Sequence, residues 1–172
     1  MIHIVNADRG QIRWVLENIR DIDALEIAAA GVDVMHMPDI LMRHKVFCFS
    51  ACDEEIGPIA IWGMIERRQG VGAGFAFGTN NWRKAVLPMV RQIRGFVIPF
   101  LHSNGYHRVE AAALAGRDDV AALMHLIGAR PEARLRGYGI SGEDFISYRW
   151  LADERVDIQT GKSQADGAYT AH

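Results

Sequence analysis

The stretch YHRVEAAALAGRDDVAALMHLIGARPEARLRGYGISGEDFISYRW, residues 106–150, decides which fold the sequence predicts. Its first part, HRVEAAAL, is a short apolar run that predicts a strand. Asp118 can then act as N-cap of a helix over DVAALMHLIG, and Gly128 can end that helix. The remainder predicts two strands around a glycine-rich turn. A strand, a capped helix and a β-hairpin therefore follow one another in this part of the chain.

The amino-terminal part of the chain predicts one strand followed by two or three helices. IHIVNA is the strand, and apolar residues then recur at helical spacing. Asp8 can cap the first helix, Gly31 can end the second, and MPDILMRH predicts a short third helix. The residues that carry the helical spacing are Ile12, Val15, Leu16 and Ile19.

The middle of the chain predicts three strands and one long helical segment. KVFCFSAC and IGPIAIWGMIER are joined by turn residues, and AGFAFGT follows as another strand. The segment WRKAVLPMVRQIRGFVIPFLHSNG has helical spacing. Pro88 is expected at its first helical position, and Pro99 is expected to bend the helix. Together these elements predict an α+β domain with a mixed central sheet flanked by helices.

With this element order and the pattern of residues 106–150, the chain resembles the GNAT superfamily of N-acetyltransferases. Members carry a strand, a capped helix that ends in glycine and an aromatic residue, and a glycine-rich hairpin. Here Gly128 is followed by Ala129, so the aromatic residue is missing. The resemblance spans residues 1–151 in element order and about 45 residues in pattern. It implies a GNAT-like (acyl-CoA N-acyltransferase) fold, acetyl-CoA as cofactor, and a small-molecule or protein amine as acceptor.

More narrowly, the chain looks like GNAT-like proteins of phages, including an internal virion protein of short-tailed phages. Three stretches carry this likeness: LEIAAAGVD, FCFSACDEEIGPIAIWG and FGTNNWRK. The likeness implies an alternative function, a non-catalytic structural or interaction protein that has lost acetyl-CoA binding.

The stretch RRQGVG, residues 67–72, has two interpretations. It spells Arg-x-x-Gly-x-Gly, the form of a loop that binds the pyrophosphate of CoA in front of a helix. The residues that follow, AGFAFGTNN, alternate apolar and small side chains and end in a turn, which is typical of a strand. We therefore favour a hairpin turn and expect residues 74–77 to form a strand.

In this interpretation the resemblance implies that the cofactor lies between the fourth and fifth strands. Backbone groups near Phe77, Gly78, Ala113 and Leu114 would receive the pantetheine arm. The loop Thr79–Leu87 would face the phosphates. A straight helix behind that loop would carry Arg91 and Arg94 on the same face as Arg83 and Lys84. That face is either solvated or binds an anion, which would be the CoA phosphates or an acidic protein partner. The predicted cofactor-binding residues are Phe77, Gly78, Thr79, Arg83, Lys84, Ala113 and Leu114.

The catalytic residues stay unknown at this stage. In the family a tyrosine near the end of the capped helix often acts as acid, and Met124 stands at that position. Met124 has no proton to donate, and His125 points about 100° away on a helix. Glu66 and Glu110 are candidate bases, each with a surface or ion-pair role as its alternative.

Composition excludes several classes of protein. The net charge of −2 gives no basic footprint for nucleic acid. No apolar run reaches the ~18 residues of a membrane span, so we expect a cytoplasmic protein of a bacterial host, or a virion component. Cys48 and Cys52 are too far apart on a strand for a disulfide, and the histidines lack a zinc-ligand spacing.

The sequence predicts one domain over residues 1–151 and a polar carboxy-terminal tail over residues 152–172. The tail has no apolar core of its own and would bind a protein partner if the role is structural. An N-acetyltransferase of unknown acceptor and a non-catalytic binding protein therefore remain the two candidate functions.

Overall fold

The computed structural model describes residues 1–154, so most of the predicted tail lies outside the described residues. Within them, seven strands and six α-helices alternate in the predicted order. The strands are β1 (Ile2–Asn6), β2 (Lys45–Asp53), β3 (Gly57–Arg68), β4 (Val71–Gly78), β5 (Arg108–Leu114), β6 (Arg130–Leu135) and β7 (Phe145–Leu151). The helices are α1 (Arg9–Glu17), α2 (Asp21–Ala29), α3 (Met37–His44), α4 (Trp82–Gln92), α5 (Ile98–Ser103) and α6 (Asp118–Leu126).

The strands form one mixed sheet in the order β1-β2-β3-β4-β5-β7-β6. Only the central β4–β5 pair is parallel, and the other neighbours are antiparallel. One face packs on α1 and α3 through a core that includes Ile12, Leu41 and Phe77. The other face packs on α4, α5 and α6 through a core that includes Trp62 and Met89. The predicted α+β architecture with helices on both faces of a mixed sheet is confirmed.

RRQGVG is the hairpin turn between β3 and β4. β3 ends at Arg68 and β4 begins at Val71, with the two strands antiparallel. Gly70 has a φ of +74°, which glycine adopts at little cost. Residues 74–77 lie within β4, so the favoured interpretation of this stretch is confirmed and no helix starts behind it.

Most predicted helix ends are where the sequence puts them. Asp8 caps α1 in a reciprocal arrangement, accepting from the Gln11 backbone N–H at 2.8 Å while the Gln11 side chain accepts from Asp8 N–H at 3.1 Å. Gly31 follows α2 with φ +70°, and Gly128 follows α6 with φ +81°. Asp118 is not the N-cap of α6, because the helix begins at Asp118 itself and Arg117 precedes it.

The long helical segment differs from prediction at one proline. Pro88 lies inside α4 rather than at its first position. Pro99 lies in the first turn of α5, directly after a π-helical segment, Ile93–Val97. Since proline cannot donate a backbone hydrogen bond, regular α-helical bonding is interrupted before Pro99, and the wider π turn accommodates it.

Candidate functional site

The central parallel strands separate after three residue pairs. β4 and β5 are paired at Val71–Arg108, Gly72–Val109 and Ala73–Glu110, and pairing ends there. The Gly78 N–H and C=O point toward this gap, because they bond with Asp23 of α2 and with the N–H of Arg20, which precedes α2, rather than with β3. By the two-residue alternation of a strand, the backbone of Ala76 faces the gap as well. The gap is therefore a slot with backbone polar groups along its β4 side.

A mainly apolar cavity of about 150 Å³ lies in this slot. Gly74 and Ala76 of β4 face Ala111 of β5 across it, and α4 and α6 close it on one side of the sheet. Small side chains on both strands leave the slot open, since larger ones would fill it.

The glycines of β4 differ in the space beside them. A Cβ on Gly72 would clash with the Met64 side chain, and one on Gly78 would lie 2.5 Å from the Trp82 ring. A Cβ on Gly74 would have its nearest neighbour, a Val109 methyl carbon, at 3.6 Å. Core side chains thus occupy both ends of the small-residue face, and the open space is beside Gly74.

A cluster of five charged residues joins α2 to the loop after β5, at the mouth of the slot. Arg117, which is 6% exposed, donates to Asp23 at 2.9 Å and to Glu26 at 3.1 Å. Arg117 also donates twice to Asp119, at 2.8 and 2.9 Å. Arg20 pairs with Asp23 at 2.7 Å and with Asp119 at 3.0 Å. Three carboxylates against two guanidinium groups leave this cluster with one negative charge.

The carboxylates of this cluster also bind the two separated strands. Asp23 accepts from the Gly78 N–H at 2.9 Å, and Glu26 accepts from the Leu114 N–H at 2.7 Å. Arg20 lies over the Trp82 ring, 4.7 Å from its centre, beside the same mouth. Helix α2 therefore bridges the carboxyl ends of β4 and β5, where ladder bonds no longer hold them.

Glu26 is the chemically distinctive member of the cluster. Both of its hydrogen bonds, from Leu114 and Arg117, go to Oε2. Within residues 1–154 no donor bonds Oε1, and Glu26 lines the cavity. Burial raises the pKa of Glu26 above its ordinary value, against the opposing effects of the Leu114 N–H and Arg117. A carboxylate held by one oxygen, with the other oxygen available, is suited to accept a proton.

Tyr148 of β7 is a second titratable group on the cavity wall. It is 6% exposed and lies opposite Ala111 in the sheet. Burial, with the negative charge of Glu26 as a smaller cause, raises the pKa of Tyr148. The hydroxyl therefore keeps its proton at neutral pH and is available as a donor.

The predicted cofactor-binding residues fall into two groups. Phe77 and Ala113 are buried, each 2% exposed, and Phe77 belongs to the core under α1. Gly78 and Leu114 lie at the mouth of the slot, but their N–H groups already bond to carboxylates. Thr79 is also buried, and its hydroxyl donates to the Ile59 carbonyl at 3.3 Å. The structure brings Gly78 and Leu114 together through α2.

The two predicted cations lie in the first turn of α4. Arg83 is exposed, with no ion pair in the described part of the chain. Lys84 pairs with Asp53 at 3.4 Å and so turns toward the end of β2. Arg94, expected on the same face in a straight helix, falls in the π-helical segment and is half-buried.

The acid and base candidates from the sequence are only partly at the site. Met124 lines the cavity, as does Glu110, which is held by Arg108 at 2.7 Å. His125 is exposed on α6, and Glu66 lies near the far end of β3, next to Tyr106.

Sequence reasoning missed Glu26, Arg117 and Tyr148. The helix DIDALEIAA carries Asp23 and Glu26 three residues apart among apolar residues, so both share a face that must meet something polar. That pattern could have indicated a buried ionic site. Nothing in the sequence pairs it with Arg117, which lies 91 residues beyond Glu26.

In residues 1–154, no cluster of three or more His, Cys, Asp or Glu could hold a metal ion. None of the helices in this part of the chain has the length and apolar character to cross a bilayer. Cys48 and Cys52 are both free thiols.

No protein-family model matches the chain, and no curated protein does. Solved structures do match. An N-acetyltransferase from Staphylococcus aureus Mu50 is 15% identical, with a TM-score of 0.68 over 89% of this chain and 99% of that one. A GNAT superfamily phosphinothricin acetyltransferase from Sinorhizobium meliloti, in complex with acetyl-CoA, is 13% identical, with a TM-score of 0.67 over 99% of both chains. A ribosomal-protein-S5-alanine acetyltransferase from Vibrio fischeri is 15% identical, with a TM-score of 0.64 over 89% and 94%. The chain has the GNAT acetyltransferase fold.

Proposed function

We propose that this protein is an acetyl-CoA-dependent N-acetyltransferase that uses the slot between β4 and β5. The single observation that supports the proposal most is the apolar cavity in the slot, with Glu26 at its polar end. An apolar pocket with a few convergent polar groups and a perturbed pKa is what a binding site for a small molecule requires.

The slot is well suited to the narrow pantetheine arm of acetyl-CoA. Its mouth is less well suited to the phosphates. Gly74, Ala76 and Ala111 would flank the arm, and the unpaired backbone of Ala76 would bond its amides. The loop before α4 has no Gly-x-Gly, so Arg83 is the group that would meet the phosphates. Acetyl-CoA supplies an acetyl group that is already activated as a thioester.

The residues of the chain have distinct roles in this proposal. Glu26 would accept the proton of an ammonium group at Oε1, while Arg117 and the Leu114 N–H hold Oε2 in place. Tyr148 would hold the proton that a leaving thiolate requires. The apolar wall of the cavity excludes water from both groups.

The alternative is a non-catalytic binding protein with the same fold, as the resemblance to phage virion proteins suggests. Its support is specific: Asp23 and Glu26 already occupy the N–H groups of Gly78 and Leu114. Met124 also stands where the family often has its acid. A test must therefore separate binding of the cofactor from transfer of the acetyl group.

Thermal unfolding with acetyl-CoA, and separately with CoA, tests binding first. At about 100 times its dissociation constant, a ligand adds about 2.7 kcal/mol to the free energy of unfolding, and the midpoint should rise roughly 5–10 °C. Ala111→Leu fills the slot and should abolish the rise. Ala112→Leu, on an exposed neighbour, should keep it. No rise at millimolar ligand would favour the non-catalytic alternative.

Glu26→Gln then tests transfer. The amide oxygen of glutamine can still accept from Leu114 and Arg117, so the thermal shift should persist. Acetylation of an amine, followed by mass spectrometry, should fall at least about 100-fold because a general base is lost. Unchanged transfer in this variant would exclude Glu26 as the base.

A further inference from the structure

The cavity in the slot continues beneath the helices that cover the sheet. Beyond the small residues of β4 and β5, its wall includes apolar side chains of the π-helical segment, of α5, of α6 and of the residues after α6. We call this part the inner chamber, and its residues are Ile93, Val97, Leu101, Leu123, Ile127 and Ala129. Ala76 in the slot is exposed, whereas four of the six chamber residues are buried, so the chamber is the enclosed end of the cavity.

The polar side chains of the cavity belong to the slot and its mouth. Those with a charge or a hydroxyl are Arg20, Glu26, Glu110, Arg117 and Tyr148. Three of them belong to the charged cluster at the mouth, and the other two lie in β5 and β7. The inner chamber has no such group, so it offers water no hydrogen-bond partner from a side chain and favours an apolar occupant.

The small side chain of Ala129 is one reason for this space. The resemblance places an aromatic residue directly after the glycine that ends α6, and this chain has alanine there. The backbone at this point is held in place, because Gly128 has a φ of +81° and the Ala129 N–H donates to the Met124 carbonyl at 2.9 Å. Since Ala129 lines the chamber, a larger side chain at this position would occupy part of it.

The π-helical segment Ile93–Val97 is a second reason. The Ile98 N–H donates to the Ile93 carbonyl, five residues earlier, so this turn holds one residue more than an α-helical turn. The extra residue rotates α5 by about 100° relative to a continuous α-helix. In this orientation Leu101 of α5 lines the chamber together with Ile93 and Val97. Segments of this kind occur frequently at functional sites.

The cavity is larger than an acetyl group requires. Its volume is about 150 Å³, and an apolar cavity of about this volume binds benzene. An acetyl group has a single methyl carbon beyond its carbonyl. The pantetheine arm would lie at the exposed side of the slot, along Ala76, and would leave the inner chamber to the acyl substituent. Met89 and Met124 also line the cavity, and methionine side chains adapt to the shape of a ligand.

We propose that the preferred donor is a CoA thioester with an acyl group of about four to six carbons, and that the inner chamber receives this group. Acetyl-CoA would occupy the same slot but leave the chamber unfilled, so it is the weaker donor. For its transfer step the inference rests on the proposed function. Binding of the acyl group requires only the slot and the chamber.

The transfer step is the same for a longer acyl group as for acetyl. The amine nitrogen bonds to the acyl carbon, and the bond from that carbon to sulfur breaks. Glu26 takes one proton of the ammonium group. The leaving thiolate takes the proton of Tyr148, and a second proton from the nitrogen replaces it.

The test compares the dissociation constants of CoA, acetyl-CoA and hexanoyl-CoA for the full chain by calorimetric titration. Each buried methylene group strengthens binding about fourfold. Hexanoyl-CoA has four carbons more than acetyl-CoA, so we expect it to bind at least about tenfold more tightly.

Variants of the chamber then locate the acyl group. Ala129→Phe should reduce the preference for hexanoyl-CoA to less than about threefold and leave the affinity for acetyl-CoA nearly unchanged. Ala133→Phe is the matched control on the exposed edge strand β6 and should keep the preference. Ile127→Ala enlarges the chamber and should strengthen binding of octanoyl-CoA at least about threefold, a gain that misfolding cannot produce.

A fragment without the phosphates separates the acyl group from the rest of CoA. S-hexanoyl-N-acetylcysteamine is titrated into the full chain, and the methyl resonances of Val97 and Leu123 are followed. If no CoA compound binds, the proposed function fails. Saturable methyl shifts with the fragment would still support the acyl site, and their absence would overturn it.

The remaining outcomes also distinguish the two proposals. Hexanoyl-CoA that binds no more tightly than acetyl-CoA, or an equal loss of preference in Ala133→Phe, overturns the inference. Transfer is measured separately by adding an amine and following its mass. Tighter binding of hexanoyl-CoA without acylation of any amine contradicts the proposed function alone. Acylation from acetyl-CoA in preference to hexanoyl-CoA supports the proposed function and overturns the longer donor.

Discussion

Asp23 and Arg117 form a buried ion pair, 2.9 Å between Oδ1 and Nη2, with both side chains 4% exposed. The pair joins α2 to the loop after β5, 94 residues further along the chain. Because Asp23 also accepts from the Gly78 N–H of β4, one carboxylate connects three elements at the mouth of the slot. The shape of the site therefore depends on an electrostatic contact rather than on sheet pairing.

Removing one partner of this ion pair should lower the free energy of unfolding. Arg117→Met removes one of the two guanidinium groups that pair with the buried carboxylate of Asp23, and we expect the free energy of unfolding to fall by about 3–5 kcal/mol. Urea unfolding at pH 7 measures it. Arg134→Met is the matched control, since Arg134 pairs with Asp144 while 60% exposed, and its loss should cost less than about 1 kcal/mol. Equal costs for the two variants would contradict the special role of the buried pair.

Asp119 should make stability depend on acid pH. The hydrogen bond from Arg117 is the main cause that lowers the pKa of Asp119 to about 2. A depressed carboxyl pKa stabilises the fold above the unfolded value near 3.8, and this contribution is lost as pH falls toward 2. Asp119→Asn should therefore lower the free energy of unfolding by about 1 kcal/mol at pH 7, allowing for its partial exposure.

The measurement is urea unfolding of the wild type and Asp119→Asn at several pH values. The difference between them should be constant from pH 7 to about 5 and shrink below pH 4. Glu55→Gln, an exposed change of equal charge, serves as the control. A difference that persists unchanged at pH 3 would show that ionisation of Asp119 is not its source.

Pro88 gives a prediction about helix stability. Proline inside a helix removes a backbone hydrogen bond and crowds the preceding turn, at about 3 kcal/mol relative to alanine. Pro88→Ala should thus raise the free energy of unfolding by about 1–2 kcal/mol, since proline also restricts the unfolded chain. Pro131→Ala, on the edge strand β6, should change it by less than about 0.5 kcal/mol. A loss of stability in Pro88→Ala would mean that contacts of the ring outweigh the missing bond.

The element order was predictable because its signals are local. Asp8 and Gln11 cap α1 with groups three residues apart, and Gly70 marks a turn that needs only its two flanking strands. The position of Pro88 was not predictable in the same way. Packing of α4 against the sheet holds Trp82 and Met89 in place and extends the helix across a residue that local propensity would put at its start.

The site was less predictable because its contacts are distant in sequence. The resemblance indicated the slot between β4 and β5, and the structure shows where those strands separate. It did not indicate that the Gly78 and Leu114 N–H groups are bound by Asp23 and Glu26, which are 55 and 88 residues away. Burial of a charge depends on the tertiary partners that surround it, and no local pattern names them.

Two glycines of β4 separate the packing role of this strand from its role as a wall of the slot. Gly78→Ala would place a Cβ 2.5 Å from the Trp82 ring and 2.9 Å from the Ile59 carbonyl oxygen, so we expect a loss of about 1–3 kcal/mol in the free energy of unfolding. Gly74→Ala has its nearest contact at 3.6 Å and should keep or slightly raise stability.

For binding of acetyl-CoA we expect the opposite order, with Gly74→Ala more harmful than Gly78→Ala. Gly74→Ala narrows the slot at its open part, and we expect the rise in unfolding temperature with acetyl-CoA to shrink by at least half. The space beside Gly78 is already filled by Trp82, so Gly78→Ala should reduce stability without reducing that rise in proportion. Thermal unfolding of both variants with and without acetyl-CoA distinguishes the two effects. If Gly74→Ala retains the full rise while Gly78→Ala loses it, the cofactor is bound at the mouth of the slot rather than within it.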